Sequence, residues 1–183
     1  MSAVFFSPAQ LRASLWAGRG SRVHAVIDGL VVPGIAARLR ASDTGGWDCL
    51  QRGALSAEAE AKAAFLVELK ESLPFTDWLV DVATPTYPGW GVLLLSGHAL
   101  LPVREHCRSL AEVLTPEGER RRWRWHDPDV VRELLPTLLS AQLDEVFALN
   151  QSIILPTSDA WTWFTVQQGV LASETRHVMQ AAR

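Results

Sequence analysis

The sequence predicts a mixed α+β (α/β) fold, a mixed sheet covered by helices with a small C-terminal extension. Three observations lead there. Strand-like and helix-like stretches alternate along the chain instead of segregating. Residues 91–96, Gly-Val-Leu-Leu-Leu-Ser, are apolar nearly throughout, as expected of a central strand covered on both faces. After them Leu100, Val103, Cys107, Leu110 and Leu114 recur at helical spacing, with Arg104, Glu105, Arg108 and Glu112 on the opposite face. A chain of 183 residues that is 48% hydrophobic can bury one substantial core, or one domain with a small lobe.

The elements follow in order. Ser7-Pro8 opens a short helix to residue 16, with Pro8 in the first helical position. Residues 23–27 read as a buried strand stopped by Asp28-Gly29, residues 33–39 as a weak helix and residues 42–46 as a loop. Residues 55–73 read two ways. Ser56 is an N-cap and Glu58–Lys62 a favourable i,i+4 pair, yet residues 65–69 fit a strand as well as a helix. Residues 75–80 form a helical turn or two, and residues 84–89 a loop. The amphipathic helix from Leu100 ends before a turn at 116–118. Residues 120–126 alternate, with Trp123 and Trp125 inward on a half-buried strand. Asp127-Pro128 caps and starts a helix that stops before Pro136. Ser140 caps another, with Leu143, Val146 and Phe147 inward, ending at Asn150. Residues 152–155 and 161–166 are strands, and a terminal helix from Gly169 turns Leu171, Val178 and Ala182 inward.

Net charge of −3 with a sequence pI near 5.9 disfavours nucleic-acid binding. Cys49 and Cys107 are too few for a disulfide framework and read as buried thiols of a reducing compartment. The N-terminus lacks a basic and apolar leader, and no stretch reaches 18 apolar residues, so a cytoplasmic chain without a membrane span is expected.

Candidate chemistry is thin. Ser96-Gly97-His98 follows a strand and precedes a helix, but the glycine two residues before the serine that a nucleophile elbow needs is missing. No phosphate-binding glycine loop occurs. His98 and His106 could share a helix face without a third ligand beside them, so no metal or other cofactor is expected. His126-Asp127 resembles a dyad, but Asp127 is better used as a helix cap. Arg120, Arg122 and Arg124 form a stripe that is either a solvated face or a docking strip for an acidic segment. Trp161 and Trp163 fit either a core or an interface. These five are the candidate partner-binding residues.

The order of segments resembles the DUF4123 family, the effector adaptors of type VI secretion. The resemblance rests on His24-Ala25-Val26-Ile27-Asp28-Gly29, Cys49-Leu50, Ala64-Phe65-Leu66-Val67-Glu68-Leu69, Phe75-Thr76-Asp77-Trp78-Leu79 and Gly91-Val92-Leu93-Leu94-Leu95-Ser96. Val103-Arg104-Glu105-His106-Cys107-Arg108-Ser109-Leu110 follows, then Trp123-Arg124-Trp125-His126-Asp127-Pro128-Asp129-Val130-Val131, with His126 where the family has an aromatic, and finally Leu135-Pro136-Thr137-Leu138 and Ser140-Ala141-Gln142-Leu143. It implies a strand at 64–69 and a division into a leader (1–22), a DUF4123-like domain (23–155) and a short extension (156–183). The larger C-terminal helical lobe that such proteins often use for partner choice would here be replaced by the short extension or by the main domain. The function implied is that of a non-catalytic adaptor. It would hold the N-terminal segment of a toxin and help load it onto the valine-glycine repeat (VgrG) spike. The alternatives are a small hydrolase built on Ser96 with a histidine, or an immunity protein that neutralises a toxin.

Overall fold

A computed structural model describes residues 5–114 and 119–179, with backbone alone for residues 113, 114 and 120–122. Its elements run β1 (Phe5–Phe6), α1 (Pro8–Leu15), β2 (Arg22–Asp28), α2 (Ile35–Ala41), β3 (Trp47–Cys49), α3 (Ala57–Ala61) and β4 (Ala64–Leu69). Then come α4 (Pro74–Asp77), a π-helical turn (Trp78–Ala83), α5 (Thr84–Thr86), β5 (Gly91–Ser96), α6 (Leu100–Leu110), β6 (Glu112–Leu114) and β7 (Arg120–Arg122). The chain closes with α7 (Pro128–Leu134), a 3-10 turn (Leu135–Thr137), α8 (Ser140–Val146), β8 (Ser152–Pro156), β9 (Ala160–Gln167) and β10 (Val170–Val178).

The fold is mixed α+β, as the sequence predicts. Eight strands form one mixed sheet in the order β1-β10-β9-β8-β5-β2-β4-β3, antiparallel except where β1 runs parallel to β10. Helices cover both faces. Because side chains alternate across a strand, Ala25, Ile27 and Leu93 pack under α1, α2 and the α4–α5 segment with Leu11, Leu39 and Leu79. Val26, Val92 and Leu94 pack on the other face under α6, α7 and α8 with Val103, Cys107, Val131 and Leu143. The apolar run of β5 is thus explained by burial on both sides.

Two glycines are fixed by backbone contact. A Cβ on Gly29 would lie 2.5 Å from the Ala63 carbonyl oxygen, whose bond to the Gly29 amide ties the end of β2 to the start of β4. Gly91 has φ +148°, and a Cβ there would meet the Val26 carbonyl oxygen at 1.8 Å; a side chain is excluded on both counts.

Several local expectations are corrected. The segment after Gly169 is strand, not helix. Gln168 and Gly169 both have positive φ (52° and 75°) between the paired residues Gln167 and Val170. That is the backbone of a two-residue type I′ hairpin turn, and it folds residues 170–178 back along β9. Residues 160–167 and 170–178 are therefore strands of the main sheet. The helix from Leu100 stops at Leu110, and Leu114 belongs to the small β6–β7 ladder. Residues 120–126 form a strand only to Arg122. The expected loop at 84–89 remains helical to Thr86, with the Thr84 and Thr86 hydroxyls bonded back to the Leu79 and Val82 carbonyls. Ser140 is the first residue of α8 and Leu139 its cap position. The turn at 116–118 and Ala182 lie outside the described residues.

Candidate partner-binding surface

The surface is organised by one buried carboxylate. Asp28 ends β2 and is 2% exposed. Its Oδ1 accepts the Leu30 amide at 2.8 Å, which turns the chain toward α2. Its Oδ2 accepts from Arg124 Nε (3.0 Å) and Nη2 (2.6 Å) and from His126 Nε2 (3.1 Å). Burial alone would push the Asp28 carboxyl up, but the hydrogen bonds from His126, Leu30 and Arg124 outweigh it and hold the group below its ordinary range. Asp28 is acceptor-only when ionised, so His126 places its proton on Nε2, leaving Nδ1 buried without a partner.

This anchor pins the short segment 123–126 across the helical layer. Trp125 is buried, and its indole N–H donates to the Cys107 carbonyl at 2.9 Å. Trp123 is half-buried and donates to the Leu110 carbonyl. Asp127 then caps α7 by accepting the Asp129 amide at 3.1 Å. Apart from His126 Nδ1, the side-chain polar groups of the segment thus serve to place a tryptophan or start a helix.

The far end of the same layer is held by α6. Arg104 pairs with Asp48 of β3, and Arg108 donates to the Cys49 and Leu50 carbonyls at 2.7 and 3.1 Å. The polar face of α6 is therefore a clamp on the edge strand, not simply a solvated face. The family model of DUF4123, a domain of unknown function, matches residues 23–145, from the start of β2 into α8. The chain belongs to the DUF4123 family. No curated protein and no solved structure matches it.

Two hollows flank the pinned segment of this DUF4123 domain. One, of about 810 Å³, lies between α6, α7 and α8, with Leu110, Trp123, Leu134, Leu138 and Val146 among its walls. The other, of about 580 Å³, is lined by Asp28, Arg52, Lys62, Arg108, Arg124 and His126 among others. Its cations are paired within the chain: Lys62 with Glu58, Arg52 with Glu105, Arg108 with Glu105, and Arg124 with Asp28.

The residues singled out from sequence fare differently. Arg124 is 45% exposed in its side chain but tied to Asp28 and, at 3.5 Å, to Asp127, so its first role is structural. The side chains of Arg120 and Arg122 lie outside the described residues. Trp161 and Trp163 are buried, stacked on each other at 5.8 Å, with the Arg176 guanidinium over Trp163 at 4.1 Å. They belong to the core on the α1 face, one of the two roles the sequence leaves open for them. Ser96 is fully buried; its hydroxyl donates to the Leu149 carbonyl and accepts the His98 amide at 3.1 Å. No imidazole nitrogen among the described residues reaches it, so the hydroxyl secures a strand end. Cys107 is buried, and burial pushes its thiol far up, away from thiolate chemistry. Among the described residues no group of three or more metal-ligating side chains converges. No helix among them is long and apolar enough to cross a membrane.

Asp28 was missed in the sequence as a site residue. The signal was a single carboxylate closing an apolar strand, and its partners lie 96 and 98 residues away.

Proposed function

We propose that this DUF4123 domain is a non-catalytic cytoplasmic adaptor that binds the N-terminal segment of a type VI secretion toxin and helps load it onto the VgrG spike. The observation that carries the reading is the use made of the motif residues between 91 and 131. Ser96, Arg104, Arg108, Trp123, Arg124, Trp125, His126 and Asp127 are each engaged in holding strands, caps or rings in place. A framework built this way supports a rigid surface, which is what a carrier of another protein requires. Family membership supports the secretion context.

The test is co-purification of the tagged chain from its native host. A toxin and a spike protein should be recovered with it, and the toxin should lose secretion when the chain is deleted. Recovery of neither with a folded chain, or turnover of a substrate by the purified protein, would sink the reading.

A further inference from the structure

The two edges of the eight-stranded sheet are finished differently. On one side β3 has three residues and is held from α6 by Arg104 and Arg108. On the other side β10 has nine residues, and β1 covers only its end, with Phe5 beside His177 and Phe6 beside Val178. A strand left bare along one side presents a row of unpaired backbone donors and acceptors, which proteins ordinarily blunt with proline, lysine, a bulge or a short strand. β10 has none of these. Residues 170–178 hold no proline or lysine, and their register with β9 runs without a slip from Val170 to His177. The charges of the strand, Glu174 and Arg176, cancel in a pair at 2.8 Å.

Two bonds give the direction of each backbone group. The Met179 amide donates to the Phe6 carbonyl on the β1 side, and the Val178 amide donates to the Asp159 carbonyl on the β9 side. Backbone groups alternate in direction along a strand. Leu171, Ser173 and Thr175 therefore turn their N–H and C=O groups the way Met179 does, away from β9. Among the described residues no strand lies on that side of residues 171–175. Residues 172–175 are exposed one after another, as a strand with one open side is.

We propose that this edge of β10 takes up an extended segment of the partner protein, which pairs with residues 171–175 as an added strand. Another extended backbone supplies donors and acceptors at the two-residue spacing of Leu171, Ser173 and Thr175. Because Glu174 and Arg176 satisfy each other, the incoming side chains need no charge. The lane is already a strand position, since β1 pairs in it parallel to β10. A second copy of this chain fits it less well. Two β10 strands paired antiparallel and centred on Ser173 would set Gly169 of one copy opposite His177 of the other, where that copy's Phe5 already lies. The proposal rests on the adaptor reading and names how the adaptor would hold its segment.

The test uses the full chain and a fluorescein-labelled peptide of about seven alternating threonines and valines. A twin peptide is N-methylated at two adjacent central residues, so that neither of its edges can pair fully. By fluorescence anisotropy the unmodified peptide should bind at least about tenfold more tightly than its twin, with little dependence on salt. Ser173→Pro removes an edge-facing N–H and spares the ladder with β9, a place where a sheet tolerates proline. It should weaken the peptide about tenfold in a chain with native circular dichroism; should that variant misfold, the twin comparison on the wild-type chain decides. No binding of the unmodified peptide, equal binding of the twin, or binding unchanged by Ser173→Pro would overturn the proposal. So would a dimer in light scattering that Ser173→Pro dissolves, which gives the edge to a second copy. Binding that emerges only when residues 1–4 are deleted gives it to the chain's own N-terminal segment, and overturns the proposal too. The adaptor reading is separated by repeating co-purification with Ser173→Pro. Undiminished toxin recovery defeats the edge and spares the adaptor, whereas peptide binding without any toxin recovery does the reverse.

Discussion

The Asp28 carboxylate at the end of β2 takes two hydrogen bonds from the Arg124 guanidinium, 96 residues further along the chain. It joins the centre of the sheet to the segment that positions Trp123 and Trp125. The two partners are unequal: Asp28 is almost wholly buried, whereas Arg124 retains contact with water. Losing the arginine is therefore the worse change, since the carboxylate cannot regain solvent. Arg124→Met should destabilise the chain by about 3 kcal/mol. Asp28→Asn, which keeps the shape and lets Arg124 turn to water, should cost about 1–2 kcal/mol. Urea unfolding with tryptophan fluorescence measures both, and the reverse order would show that the pair is not organised around Asp28.

The same pair has a pH signature. The folded Asp28 is held below its ordinary value, so its contribution is fully present above the unfolded carboxyl pKa of about 4 and fades as pH falls through the folded value. The stability gap between the wild-type chain and Asp28→Asn should be constant from pH 7 to about pH 5 and close below about pH 4. A gap that stays constant to pH 2.5 would argue that Asp28 acts by shape alone.

His24 gives a separate pH response, at higher pH. It is 0% exposed, both ring nitrogens lack partners, and burial lowers its pKa from 6.5 to about 4 despite the nearby Glu68. Between those values the unfolded chain takes up a proton that the folded chain refuses, so stability falls as pH falls through the window. The loss from pH 7 to pH 5 should be about 2 kcal/mol. His24→Leu should remove it, and at pH 7 should be at least as stable, because no unsatisfied nitrogen is left behind. An unchanged slope in that variant would place the response elsewhere.

These residues also show what sequence could and could not reveal. The sheet-forming run at β5, the Ser7 and Asp127 caps and the face of α6 were legible because each is set by residues within a turn or two of one another. The ambiguity at residues 64–69 could not be decided by periodicity, because a strand buried on both faces has no polar side to mark its period. The strand β10 was misread even though Gln168-Gly169 sits where a hairpin turn needs two positive-φ residues; glutamine is a weaker signal there than asparagine. The Asp28–Arg124–His126 link and the clamp of α6 on β3 depend on side chains brought together only by the folded sheet. The groove between α6, α7 and α8 is invisible in sequence for the same reason: its walls come from segments that only the fold brings together.

The clamp leads to a prediction about motion rather than global stability. β3 is an edge strand of three residues, paired among the described residues only with β4, and such edges open locally at little cost. Arg104 and Arg108 add side-chain bonds from α6 to Asp48 and to the Cys49 and Leu50 carbonyls. Both arginines pack toward β3, not into the core beside Val103 and Cys107, so their loss leaves those two in place. Arg104→Ala with Arg108→Ala should therefore raise amide hydrogen exchange at residues 47–50 by tenfold or more, equivalent to about 1.4 kcal/mol of local opening. Exchange in β5, which opens only with the whole sheet, should change far less. If β5 and β3 accelerated together, the arginines would be supporting the entire core, and the edge strand would not be an independent unit held by α6.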